Sequence, residues 1–282
     1  MENLGYYDGK YDLIENMTVP FDDRVHYYGD GVYDATCAGN HIIFNLDEHI
    51  DRFYNSAGLL QIKIPLTKDE LKIILNEMVS KVEGDELFVY WQVTRAVAPR
   101  KHAFPEQEAK IWIMIRPSKI GDPNKRLKLI TIDDTRFLHC NIKTLNLLPN
   151  VMASQKGELA GCDEIIFHRG ERVTECSHSS LHIIKDGKFI TPPTDHYILP
   201  GIARAHLIKM CKQLDIPVDE TIFTIKEMME ADEVIISSSS NFCLSAYEID
   251  GQEVGGKAPE LLHRLQEALM DEYLVATKQK EA

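Results

Sequence analysis

A two-domain α/β (α+β) fold is predicted by three observations. Short β-branched and aromatic runs alternate with amphipathic helical patterns, turn residues cluster before the middle of the chain, and 282 residues are enough for two modest cores. The turn cluster Pro117-Ser118-Lys119-Ile120-Gly121-Asp122-Pro123-Asn124 follows a strand pattern and divides the chain into expected domains 1–118 and 119–282.

In the first half, Asn40 to Phe44 is the expected opening strand. Asn45 to Leu60 follows, with Ile50, Phe53, Ala57 and Leu60 at helical spacing. Thr67 to Val82 is a second helix: Thr67-Lys68-Asp69-Glu70 is a capping box, and Leu71, Ile74, Leu75, Met78 and Val82 make one apolar stripe. Leu87 to Arg95 and Lys110 to Arg116 carry the aromatic and β-branched residues of strands. Past the turn cluster, Leu127 to Ile132 is a strand, about Val151 to Leu159 a helix and Glu164 to Phe167 a strand, followed by a hairpin turning at Asp186-Gly187. Helices are expected again at Ile202 to Leu214, Ile225 to Glu230 and Pro259 to Thr277. The sequence holds no internal repeat or low-complexity segment.

Composition narrows the function classes. A net charge of −13 argues against nucleic acid, because neutralising phosphates takes a basic face. The same charge disfavours an anionic membrane surface, and no apolar run approaches the ~20 residues of a spanning helix. Hydrophobic residues make up 44% of the chain, as in a soluble globular protein. The six cysteines form no Cys-x-x-Cys pair and Met1-Glu2-Asn3-Leu4-Gly5 opens no secretory segment, so reduced thiols in a cytoplasmic protein are expected.

The chemistry centres on Lys143, which stands in Asn141-Ile142-Lys143-Thr144-Leu145-Asn146-Leu147-Leu148 with no other charge beside it. Apolar surroundings favour the free amine, the form that attacks carbonyls. About thirty residues on, Val173-Thr174-Glu175 precedes the hydroxyl-rich Cys176-Ser177-His178-Ser179-Ser180, and Glu48-His49-Ile50-Asp51-Arg52 opens a helical pattern. A lysine, an acid able to pair with a pyridinium nitrogen and an arginine for a phosphate are the parts a pyridoxal phosphate site requires.

With these residues in register, the chain resembles the D-amino acid aminotransferases of the fold type IV pyridoxal phosphate enzymes. The likeness is carried by Asp23-Arg24 through Gly29-Asp30-Gly31-Val32-Tyr33, by Glu48 to Tyr54, and by Gln92-Val93-Thr94-Arg95 with Pro99-Arg100-Lys101-His102-Ala103-Phe104-Pro105. It continues through Ile142 to Leu148, Val173-Thr174-Glu175 and Leu199-Pro200-Gly201-Ile202, covering nearly the whole chain. It implies a smaller N-terminal domain, a larger C-terminal domain and pyridoxal 5′-phosphate between them.

The resemblance also implies roles. Lys143 would hold the cofactor and shuttle the substrate proton, Glu175 would face the ring nitrogen, and Leu199 would pack on the ring. Arg52, the Ile202 and Ala203 amides at a helix start, and Ser239, where the family usually has threonine, would bind the phosphate. Tyr33, Arg100 and His102 would trap the α-carboxylate, Arg100 and His102 reaching in from the second subunit of a homodimer. The implied reaction is ping-pong transamination from a D-amino acid, D-alanine foremost, to a 2-oxo acid such as 2-oxoglutarate, through the pyridoxamine form. The side-chain preference is left open. The alternatives are other fold type IV enzymes: a branched-chain L-aminotransferase, an (R)-amine transaminase or an aminodeoxychorismate lyase, all opposed by the Arg100 and His102 pair.

The sequence departs from the family pattern after Glu175. Cys176, His178 and Ser180 stand where glycine, serine and asparagine are familiar, which puts rate and pH optimum in doubt. Cys176, His178 and His182 match no usual zinc spacing, so no metal is expected.

Overall fold

A computed structural model describes residues Met1–Lys278. Two compact units emerge. Of the described residues, the first contains Met1–Ile120, Ile142–Asn146 and Tyr273–Lys278; the second contains Gly121–Asn141 and Leu147–Glu272.

The first unit is built on β1 (Leu4–Tyr7), β2 (Lys10–Asp12), β3 (Gly31–Gly39), β4 (Ile42–Ile43), β5 (Glu86–Thr94) and β6 (Lys110–Pro117). They form one antiparallel sheet in the order β2-β1-β6-β5-β3-β4. Alternation dictates the core: Leu87, Val89, Trp91 and Val93 of β5 face inward with Ile111, Ile113 and Ile115 of β6. A short helix α1 (Val25–Tyr28) ends on Gly29, whose φ of 60° is the left-handed cap glycine accepts most readily. Helices α2 (Leu46–Leu59) and α3 (Lys68–Lys81) cover the sheet's apolar side, and the Thr67–Glu70 capping box forms as expected.

The expected opening strand Asn40 to Phe44 needs correction. Asn40 and His41 have φ of 47° and 61° and make the tight turn between β3 and β4, so most of the strand lies earlier, at Gly31–Gly39. Its sequence hides it, because Asp34 interrupts the apolar pattern and glycines stand at both ends.

In the second unit the strands are β7 (Arg126–Asp133), β8 (Glu164–Arg169), β9 (Arg172–Cys176), β10 (Ser180–Lys185), β11 (Lys188–Ile190), β12 (Val218–Asp219), β13 (Glu233–Ser237), β14 (Leu244–Ile249) and β15 (Gln252–Glu253). They join in the order β12-β11-β10-β13-β14-β7-β8-β9, with β15 on β14, and the pairs β14–β7, β7–β8 and β11–β12 are parallel. The hairpin at Asp186-Gly187 is present, with φ of 49° and 74°. The helices are α4 (Leu148–Leu159), α5 (Ile202–Gln213), α6 (Ile225–Met229) and α7 (Pro259–Ala276). The helix α4 starts three residues before its expected start because Pro149 sits in the first turn, where its missing N–H costs nothing.

Candidate active site

In the first unit the buried face of α2 carries His49, Arg52 and Ser56 among Ile50, Phe53 and Ala57. A polar stripe on the core side of a helix must be paired, and Asp34 of β3 pairs it. Arg52 donates from Nε to Asp34 Oδ2 at 2.9 Å and from Nη2 to Oδ1 at 2.7 Å, while His49 Nδ1 lies 2.7 Å from Oδ1. Burial opposes ionisation of Asp34, but the charge of Arg52 and the hydrogen bonds of His49 and Arg52 hold its carboxyl well below the usual carboxylate range. The His49 imidazole is pushed down by burial, against the pull of Asp34.

The backbone of Lys143 is fixed by the same two elements. Its N–H donates to Ser56 Oγ at 3.2 Å and its carbonyl accepts from the Tyr33 N–H at 2.9 Å. Leu145 N–H donates to the Gly31 carbonyl at 3.0 Å, an approach that only glycine permits, since a Cβ there would strike the Val93 carbonyl oxygen and Leu145. Lys143 is half-buried, its Nζ 4.4 Å from the centre of the Tyr33 ring, which stacks in turn on Tyr90.

Arg100 and His102 are exposed, on the loop between β5 and β6. That loop is braced from below. Arg24 Nη1 donates to the Lys101 carbonyl at 2.5 Å and Arg24 Nε to Asp30 at 2.7 Å, while the Tyr28 ring meets His102 at 5.3 Å and the Arg100 guanidinium at 5.5 Å. Arg95, the other arginine of this stretch, is consumed structurally by Asp30 and the Leu60 and Gln61 carbonyls.

In the second unit Glu175 is buried at the end of β9. Arg136 Nη1 donates to its Oε1 at 2.5 Å and the Leu199 N–H to its Oε2 at 3.0 Å. Arg136 is itself clamped by Asp134, through Nε and Nη2 at 2.9 Å each, and Arg169 braces Asp134 from the other side at 3.1 Å. Burial works against the Arg136 cation, but its hydrogen bonds to Asp134 and the Glu175 charge raise its pKa. The chain then enters α5 through Gly201, whose Cβ, if it had one, would lie 2.6 Å from Ser180 Oγ. No side chain caps α5, so the Ile202 and Ala203 amides are left outside the helical ladder. Ser239 lies half-buried in the turn that follows β13.

Two departures after Glu175 resolve into structure. Cys176 is a core residue packed with Ile166 and Leu181, and burial pushes its thiol well up. His178 is exposed, with Nδ1 2.8 Å from Oε2 of the buried Glu164. Burial opposes the Glu164 anion, but the His178 hydrogen bond and charge, with Ser177, hold its carboxyl below the usual range.

Sequence reasoning missed Asp34 and Arg136, partners that hold the named residues, and gave Arg24 no role beyond its place in the Asp23-Arg24 motif. Asp34 had a signal, a carboxylate inside a strand pattern. Arg136 had none beyond its residue type.

Residues 31–249 match the model of the amino-transferase class IV family, and the chain belongs to it. The resemblance drawn from the sequence is borne out at that level, and with it the mixed α/β fold. The chain is 38% identical over 269 residues, 93% of each chain, to a D-alanine aminotransferase of Listeria monocytogenes serotype 4b. It is 37% identical to a D-alanine aminotransferase of Staphylococcus haemolyticus, covering 93% of this chain and 95% of that one. In fold it matches the branched-chain amino acid aminotransferase of Escherichia coli, with a TM-score of 0.89 at 21% identity over 100% of this chain and 98% of that one. The T.th. branched-chain amino acid aminotransferase solved with pyridoxamine 5′-phosphate gives 0.88 at 23% identity over 99% and 95%. Among the described residues no helix is long and apolar enough to cross a membrane, and all six cysteines are free thiols.

Proposed function

We propose that this aminotransferase uses pyridoxal 5′-phosphate to move the amino group of a D-amino acid, D-alanine foremost, to a 2-oxo acid such as 2-oxoglutarate. The observation that carries this reading is the 38% identity over 93% of the chain to a protein named D-alanine aminotransferase, with Lys143, Glu175 and Arg100 standing in their expected motifs. When bound, the cofactor supplies a carbonyl that captures the substrate amine and a ring that takes up the electron pair left at Cα.

The residues present fit that group. Glu175 is a buried acid that accepts from Arg136 and the Leu199 amide, a carboxyl oriented to pair with a protonated ring nitrogen. The uncapped start of α5 offers Ile202 and Ala203 amides to a phosphate, and Arg52 and Ser239 add a guanidinium and a hydroxyl. Leu199 would lie against the ring.

Lys143 would have two tasks: its Nζ would hold the cofactor and, once the substrate amine has displaced it, the freed Nζ would carry the proton that leaves the substrate Cα. Pinning its backbone to Ser56 and Tyr33 limits where that amine can reach, so the proton is taken from one face. Arg100, His102 and Tyr33 bind the α-carboxylate and thereby decide which hydrogen faces Nζ.

A homodimer in the cytoplasm completes the proposal, with Arg100 and His102 serving the second subunit's site. Their exposure supports it, as does that of Phe104 beside them, 59% exposed. Mixed Lys143→Ala and Arg100→Ala subunits should recover the parent's low KM for D-alanine, which Arg100→Ala alone lacks; mixtures that keep the raised KM of Arg100→Ala would refute action in trans. Absorbance of the purified protein should change with D-alanine and not L-alanine, and a response to L-alanine alone would reverse the handedness.

A further inference from the structure

We propose that His182 is a positioning residue for the cofactor phosphate, tying the start of α5 to the strand that leads into the Ser237–Ser240 turn. The inference rests on the pyridoxal phosphate reading above and adds a residue that touches no ligand.

His182 lies on β10 and is fully buried. Its Nδ1 is 2.8 Å from Thr191 Oγ1 and its Nε2 is 2.8 Å from Ser237 Oγ, the last residue of β13. Thr191 Oγ1 accepts from Arg204 Nε at 3.2 Å, and Arg204 is the third residue of α5. Arg204 Nη2 is held by the Pro192 carbonyl at 2.9 Å and by Glu220 at 2.7 Å. A continuous hydrogen-bonded line thus joins the first turn of α5, which carries the Ile202 and Ala203 amides, to the entry of the turn that carries Ser239. Ser180 stands two residues from His182 on the same face of β10 and directly across from Ser237. Its Oγ lies against Gly201, so helix start and strand end meet on one face of one sheet.

Arginine only donates, so Thr191 Oγ1 accepts from Arg204. One imidazole nitrogen donates and the other accepts, so a neutral His182 bonds both Thr191 Oγ1 and Ser237 Oγ in either tautomer. Burial and then the Arg204 charge push the His182 pKa down to about 3, so the ring stays neutral. Phe189, 5.0 Å away, packs on the ring. Ser237 is buried beside it, so losing either partner of this bond leaves a buried polar group unmet.

The test is a titration of the cofactor-free full chain with pyridoxal 5′-phosphate and, separately, with pyridoxal, which lacks the phosphate. His182→Phe keeps an aromatic ring and removes both nitrogens. It should weaken pyridoxal 5′-phosphate binding about tenfold, about 1.4 kcal/mol, and leave pyridoxal binding within about twofold of the parent. His182→Gln, which restores a donor, should recover part of the loss. Ser237→Ala should reproduce it, and reads the same line if the Phe variant does not fold. Unchanged pyridoxal 5′-phosphate affinity in His182→Phe and Ser237→Ala, or equal loss for both probes, would overturn the inference while leaving the phosphate site standing. A parent protein that binds both probes equally well would overturn the phosphate reading and this inference with it.

Discussion

Two buried carboxylate–arginine pairs, Asp34 with Arg52 and Glu175 with Arg136, are built alike and used in opposite senses. In the first the carboxylate is the holder: Asp34 takes two hydrogen bonds from Arg52 and leaves the guanidinium as the group with a proposed ligand. In the second the arginine is the holder: Arg136, gripped by Asp134, orients Glu175, which has the proposed ligand. A buried ion pair therefore does not say which partner works. That follows from what else each partner touches. Arg52 sits beside His49 on a helix face, whereas Arg136 is enclosed by Asp134, the Tyr197 carbonyl and Glu175.

The largest effect expected outside the two pairs sets the scale for them. Lys143→Ala should lower turnover by more than about a thousandfold while keeping phosphate-anchored cofactor binding in part, because it removes the amine but neither pair. Steady-state turnover with D-alanine measures this, and undiminished turnover would remove Lys143 from its role.

Breaking either pair comes next. Asp34→Ala and Arg136→Ala each strand a buried charge and should cost about 3–5 kcal/mol in urea unfolding. The conservative variants separate the two senses. Asp34→Asn should weaken cofactor affinity and spare the turnover of loaded enzyme, and Arg136→Lys should lower kcat and spare affinity. The reverse pattern would break the comparison. A smaller effect is expected at the exposed loop, where Arg100→Ala should raise KM for D-alanine about tenfold with little change in kcat.

The acid side of the stability profile sharpens the comparison further. Asp34 and Asp134 both have carboxyl pKa values below their unfolded values. Their contribution is therefore complete above about pH 4, the unfolded carboxylate range, and is lost as pH falls through the lower folded values. Thermal melts from pH 6 to 3 should show this loss, and Asp34→Asn should flatten it. An equally steep loss in that variant would assign the acid sensitivity elsewhere.

Most of the fold was legible along the chain. The periodicity of α2 and α3, the Thr67 capping box, the β5 and β6 alternation and the Asp186-Gly187 turn are local, and each formed within a few residues of expectation. The strand that failed, β3, failed because Asp34 serves a partner on α2 rather than the strand's own pattern. The departures after Glu175 were legible as departures only. Packing made Cys176 part of the core and set His178 against Glu164.

The sequence by itself pointed to the reaction class, because Lys143, Glu175, Arg52 and Arg100 stand in motifs that resemble the family's and are read one residue at a time. Tertiary structure alone decided how those groups are held. Arg136 is 39 residues from Glu175, and Ser237 is 55 from His182. Such pairs form only when strands remote in the chain are brought together, and what fixes them is the cost of leaving a buried charge or donor unmet, which no local pattern records.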